Sequence, residues 1–174
     1  MATSGCILKK KDDYIVENSI NDIKKSIFNA KLKIRGENII NHKNGEFCCL
    51  NLGIFDHIAF NRSADDFGNE EVEQGQSLNF YIDEINESYT DMNEFDWVLK
   101  GDKLCKIAFI ENVIDNEQIV FKFIHEYLKI NPQDYFWVED DWVYTFEDME
   151  KLSKLPYDEC WCYKNPNDKL KDKN

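Results

Sequence analysis

Apolar and polar positions alternate most cleanly between Ser77 and Asp83: Leu78, Phe80 and Ile82 fall on one side, Asn79, Tyr81 and Asp83 on the other. A period of two predicts a strand with one buried and one polar face. The period becomes helical after Asp115, where Val120, Phe123, Ile124, Tyr127 and Leu128 form an i, i+3, i+4, i+7, i+8 stripe. Asp115 with Gln118 marks the expected start of this helix. Asn131-Pro132 marks its end, because a residue before proline is driven out of the helical region. A first helix is predicted from Ser19, with Asp22 completing a cap and Ile20, Ile23 and Ile27 on one face.

The remaining apolar runs are strand-like. Leu32, Ile34, Ile39 and Ile40 precede Lys43-Asn44-Gly45, and Asn-Gly favours a hairpin because both residues accept positive φ. The return run is Phe47 to Phe60, with Gly53 expected to mark a bulge or bend. A second hairpin is expected at Lys100-Gly101-Asp102. Leu104 to Ile110 follows, apolar on both faces apart from Lys106, which suits a central strand. Phe136-Trp137-Val138 and Trp142-Val143-Tyr144 bracket Glu139-Asp140-Asp141 as strand, acidic turn and strand. Thr145 with Asp148 is expected to cap a last short helix to about Leu155. These elements predict an α+β fold, a mainly antiparallel sheet with two to three helices packed on one side. Residues 1–163 read as a single domain and 164–174 as a frayed polar tail.

Composition agrees with a packed core: of 174 residues 43% are hydrophobic and 14% aromatic, well above a disordered acidic chain. The N-terminal MATSGCILKKKDDY has no apolar core of a signal peptide, and no run is long enough for a membrane helix, so a cytoplasmic location is expected. In a reducing compartment the six cysteines are expected to be free thiols.

Charge changes the picture more than composition does. The formal net charge is −13, and from Ser63 to Leu99 there is no Lys, Arg or His. That stretch carries Asp65, Asp66, Glu70, Glu71, Glu73, Asp83, Glu84, Glu87, Asp91, Glu94 and Asp96, interleaved with Phe67, Phe80, Tyr81, Tyr89, Phe95 and Trp97. A single-sign field repels nucleic acid and anionic membranes and attracts cationic surfaces. Acids among large aromatics suit an interface with a basic protein, charged at the rim and aromatic at the anchors.

Signatures of catalysis and of cofactor binding are missing: the sequence has no G-x-G-x-x-G, Walker A, G-x-S-x-G, H-E-x-x-H or C-x-x-C. The expectation is a protein without catalytic residues, cofactor or metal. His42 falls in a polar turn, His57 follows Asp56 in an apolar run, and His125 lies beside the helical stripe. Cys160-x-Cys162 with Cys48-Cys49 departs from zinc spacing, and neighbouring cysteines on a regular strand point to opposite faces. The acids from Asp65 to Glu73 do not follow the calcium-loop pattern. A rival reading is a small-ligand-binding domain or a carboxylate-dependent hydrolase with a pocket near His57 and Glu139-Asp140-Asp141.

A small, strongly acidic α+β chain of this kind resembles the immunity proteins of bacterial contact-dependent inhibition and related polymorphic toxin systems. The likeness is one of class and covers the whole chain in composition. It rests on the cation-free stretch Asp65 to Asp96, the Glu139-Asp140-Asp141 turn and the lack of export signals. The resemblance implies a cytoplasmic toxin inhibitor that binds a basic toxin domain, a nuclease above all, with no direct nucleic-acid or membrane partner. Partner-binding residues would then be the eleven acids above with Tyr81, Tyr89, Trp97, Glu139, Asp140 and Asp141.

Overall fold

The computed structural model describes residues 4–56, 77–85 and 94–166. Seven strands form one antiparallel sheet: β1 (Ser4–Lys10), β2 (Leu32–Asn41), β3 (Phe47–Asp56), β4 (Ser77–Asp83), β5 (Leu104–Glu111), β6 (Tyr135–Trp137) and β7 (Val143–Tyr144). Their order across the sheet is β2-β3-β4-β5-β1-β6-β7. Three helices, α1 (Val16–Asn29), α2 (Glu117–Ile130) and α3 (Phe146–Ser153), share the main core with one face of the sheet. This is the α+β arrangement expected from the sequence.

The period-two pattern places the core. Leu50, Leu52 and Ile54 of β3 and Leu78, Phe80 and Ile82 of β4 are buried toward the helices. Against them α2 sets Ile119, Val120, Phe123, Ile124, Tyr127 and Leu128, with the Phe80 and Phe123 rings edge to face at 4.7 Å. Aromatic residues close the far end of this layer. The Tyr144 hydroxyl shares its proton between the carbonyls of Trp161 and Lys164, and Trp161 Nε1 donates to the Glu117 carbonyl at the start of α2. The chain through Lys164 is thereby tied to the core, and Pro166 is buried.

Several boundaries differ from the sequence reading. The central strand β1 was not anticipated: Ser4-Gly5-Cys6-Ile7-Leu8-Lys9 is buried on both faces, so it shows no alternation. Gly5 is required there, because a β-carbon would meet the Phe136 ring at 2.6 Å. Helix α1 begins three residues before Ser19, after Ile15, and Ser19 is a buried residue within the helix whose hydroxyl has no partner among the described residues. Helix α2 starts at Glu117, preceded by Asn116, whose side chain accepts from the Ser77 amide. The Asn44-Gly45 hairpin forms, with Gly45 at φ +88°. The irregularity near Gly53 lies on the facing strand, where Arg35 is the extra residue between the pairs Ile34–Ile54 and Gly36–Gly53. Lys100-Gly101-Asp102 is a turn before β5, not a hairpin, since β5 pairs with β1 and β4. The capping box of α3 is complete: Thr145 Oγ1 accepts from the Asp148 amide, and Asp148 accepts from the Thr145 amide.

Candidate functional site

On the sheet face away from the helices, the alternate residues of each strand gather two unlike surfaces. Over β1, β5 and β6 a second apolar cluster contains Cys6, Leu8, Phe95 and Leu104, flanked by Val98, Leu99, Phe109, Tyr135, Trp137 and Val143. Over β2, β3 and β4 the same face is polar, a shallow depression lined by Arg35, Asn38, Asn51, Asn79 and Tyr81. Burial of the first patch fixes the chain from Glu94 to Leu99 against the sheet.

That anchoring joins two of the acidic segments. Phe95 packs edge to face on Trp137 at 5.3 Å, and Trp137 Nε1 donates to the Asp140 carbonyl at 2.7 Å. The contact chain Phe95–Trp137–Asp140 thus brings Asp96 and Trp97 to the same flank as the Glu139-Asp140-Asp141 turn. Lys106 projects between these rings, 5.5 Å from the Phe95 centroid and 5.0 Å from that of Trp137, a cation–π arrangement. Its charge is met by Glu94 at 2.8 Å. Beneath them the Cys6 thiol is pushed up to about 12, first by burial, with Lys106 pulling it down and Glu139 and Glu94 pushing it up. The thiol is therefore an inert core group.

The expected binding acids separate by their partners. Glu94 is engaged by Lys106, Glu139 accepts from Ser4 Oγ at 2.6 Å, and Glu84 meets His42 at 2.9 Å. Asp96, Asp140 and Asp141 are exposed and carry no paired cation among the described residues, and Trp97 beside them is 50% exposed. Glu139 reaches its turn at φ +61°, a left-handed conformation that costs about 1 kcal/mol or more for a residue with a β-carbon. Asp83 and Glu84 do not join this group. They leave β4 at the end of the sheet where β5 begins, whereas Ser4 and Glu139 lie at the other end. Tyr81 belongs to the polar half of the face, where its hydroxyl donates to Glu111 at 3.1 Å. His57, Asp65, Asp66, Glu70, Glu71, Glu73, Glu87, Tyr89 and Asp91 lie outside the described residues.

A carboxylate with a raised pKa does exist, away from the surface. Burial raises Asp134, while hydrogen bonds from Lys9 and Tyr127 and the Lys9 charge pull it down. Lys9 Nζ lies 2.8 Å from Asp134 Oδ2, and the Tyr127 hydroxyl donates to the same oxygen at 2.7 Å. With Asp134 4% exposed, this triad holds β1 to the C-terminal end of α2 and offers no access to substrate. Sequence reasoning missed it because Lys9 sits in a Lys9-Lys10-Lys11 run that reads as solvated, 125 positions from its partner.

A groove of about 270 Å³ between α2 and the chain after α3 is lined by Phe121, Leu152, Leu155, Pro156, Tyr157 and Trp161. It does not include the Glu139-Asp140-Asp141 turn. No helix among the described residues is long and apolar enough to cross a membrane. Comparison with protein families, with curated proteins and with solved structures yields no match in any of the three.

Proposed function

We propose that this protein is a binding protein of the toxin-inhibitor kind. In this reading it acts in the cytoplasm and caps a basic protein surface with the flank formed by Asp96, Trp97, Asp140 and Asp141. The observation that carries the reading is an exposed tryptophan together with three exposed carboxylates that have no paired cation among the described residues, on segments joined by the Phe95–Trp137 contact. A tryptophan held out in water loses little conformational freedom on binding and suits an anchor, while the surrounding acids steer a cationic partner toward it. If the partner is a nuclease, its phosphate-binding face is basic, and these carboxylates would occupy positions otherwise taken by phosphates. Inhibition would be steric and electrostatic, with no chemistry performed by this chain.

The hydrolase alternative draws less support. Glu139, Asp140 and Asp141 stand exposed on a turn, and among the described residues the carboxylate raised by burial, Asp134, is sealed against Lys9 and Tyr127. Affinity capture from the source cell's lysate, at low and at high salt, tests the proposal. A basic protein retained in stoichiometric amount at low salt, and lost when Trp97→Ala or D96K/D140K/D141K is the bait, is the expected result. Absence of any basic protein at either salt, or equal capture by all three baits, would overturn it.

A further inference from the structure

We infer that His42, Cys48 and Glu84 form a binding site for a divalent cation of the zinc class, independent of the proposed interface. Their ligand atoms all lie within 4.8 Å of one another, and His42 Nε2 is 2.9 Å from Glu84 Oε1. In tetrahedral zinc sites, metal–nitrogen and metal–oxygen bonds of about 2.0 Å and metal–sulfur bonds of about 2.3 Å put neighbouring ligand atoms roughly 3.3–3.6 Å apart. The His42–Glu84 separation falls just short of that spacing and none of the three exceeds 4.8 Å, so small side-chain rotations would admit the ion. The donor set combines a thiol, an imidazole and a carboxylate. That mixture selects zinc over magnesium or calcium, which take oxygen alone.

The backbone explains why these three groups meet. His42 follows the end of β2, where its amide donates to the Glu46 carbonyl and its carbonyl accepts from Gly45, closing the hairpin turn. On β3, Asn41 pairs with Phe47 and Ile40 with Cys49, which leaves Cys48 as the extra residue of a bulge. Neighbouring side chains on a regular strand would diverge, but a bulge re-aims one of them. Cys48 and Cys49 are accordingly close enough to hydrogen-bond, and Cys48 is brought toward the histidine. Glu84 is held by its own amide, which donates to the Cys48 carbonyl at 2.9 Å. Three segments thus converge through main-chain bonds that do not depend on a metal.

On coordination the Cys48 thiol gives its proton to solvent and the thiolate, the neutral imidazole and the carboxylate each supply one electron pair. Water takes the fourth position, since His42 and Glu84 are exposed. The bound ion would tie the β2–β3 hairpin to the end of β4.

Titration of the reduced protein with cobalt(II), used as the spectroscopic probe, tests the site. One equivalent is expected to produce a thiolate-to-cobalt charge-transfer absorption that zinc then abolishes by displacement. Cys48→Ser should remove the band, and His42→Gln should weaken cobalt binding at least about tenfold, since loss of even an outer-shell partner costs about 10–100-fold. Cys160→Ser, at an exposed cysteine outside the cluster, should leave it intact. Circular dichroism of each variant confirms folding. No charge-transfer band in the wild-type protein, an undiminished band in Cys48→Ser, or a band lost in Cys160→Ser would overturn the inference.

Discussion

Two groups of carboxylates show how differently this molecule uses negative charge. Asp134 is enclosed by β1 and α2, with an ammonium and a phenol on its oxygens. Asp96, Asp140 and Asp141 stand in water beside a half-exposed tryptophan, with no cation among the described residues. A buried charge must be satisfied within the protein or it unfolds the protein. An exposed, uncompensated charge adds little to stability and is left available to something outside. On the proposed function, the first group serves folding and the second is left for binding.

The sharpest way to break that contrast is to strand the buried charge. Lys9→Met leaves Asp134 in the core with Tyr127 as its remaining side-chain partner among the described residues, and should cost about 3–5 kcal/mol at neutral pH, read from the urea midpoint. The loss should narrow in acid. A carboxyl whose folded pKa is raised takes up its proton at higher pH than the unfolded chain does, so its contribution to stability increases as pH falls through that value. A neutral-pH loss below about 1 kcal/mol would show that the pair is not fixed as described.

The exposed group should behave in the opposite sense. The triple reversal D96K/D140K/D141K should leave the urea midpoint unchanged or slightly raised, because it relieves repulsion in a chain of net charge −13. Its association with the captured partner should slow by roughly tenfold to a thousandfold at low salt. A large loss of stability would move these acids into the structural group.

Two smaller effects sharpen the comparison at the α3 end. Thr145→Ala removes the side-chain acceptor of the capping box and should cost about 1 kcal/mol without affecting binding. Glu150 is half-buried, and its carboxyl is held below the usual range, chiefly by its hydrogen bond to His125. Its sign is therefore opposite to that of Asp134: stability is present above the unfolded carboxyl pKa and is lost as pH falls through the lowered folded value. Glu150→Gln should lose less stability than the parent over that acid window in a pH series of thermal melts.

Local patterns carried much of the fold into the sequence. The alternation of β4, the stripe of α2, the Asn44-Gly45 turn and the Thr145–Asp148 box each depend on residues a few positions apart, so each could be read directly. Features made by distant segments could not. β1 is central and buried on both faces, which erases alternation. Ser19 with Asp22 imitates a cap inside a helix that had already begun at Val16. Cys48 and Cys49 looked divergent because the bulge depends on the pairing partner, β2.

The candidate interface was legible in the same uneven way. Sequence located the acids but not their partners: Glu94 looked free until Lys106 was seen against it, 12 positions away. It also could not show that Phe95 and Trp137 link two acidic segments while Asp83 and Glu84 lie at the far end of the sheet. What a charge does is decided by which strand sits opposite it, and that is a property of the folded pairing.

The role of this flank is tested most directly by the salt dependence of association with a basic protein captured from the lysate, measured beside D96K/D140K/D141K. The wild-type rate is expected to fall steeply as salt rises, and the variant rate to be slow and nearly flat. Equal rates with equal salt slopes would contradict the assignment of this flank to binding.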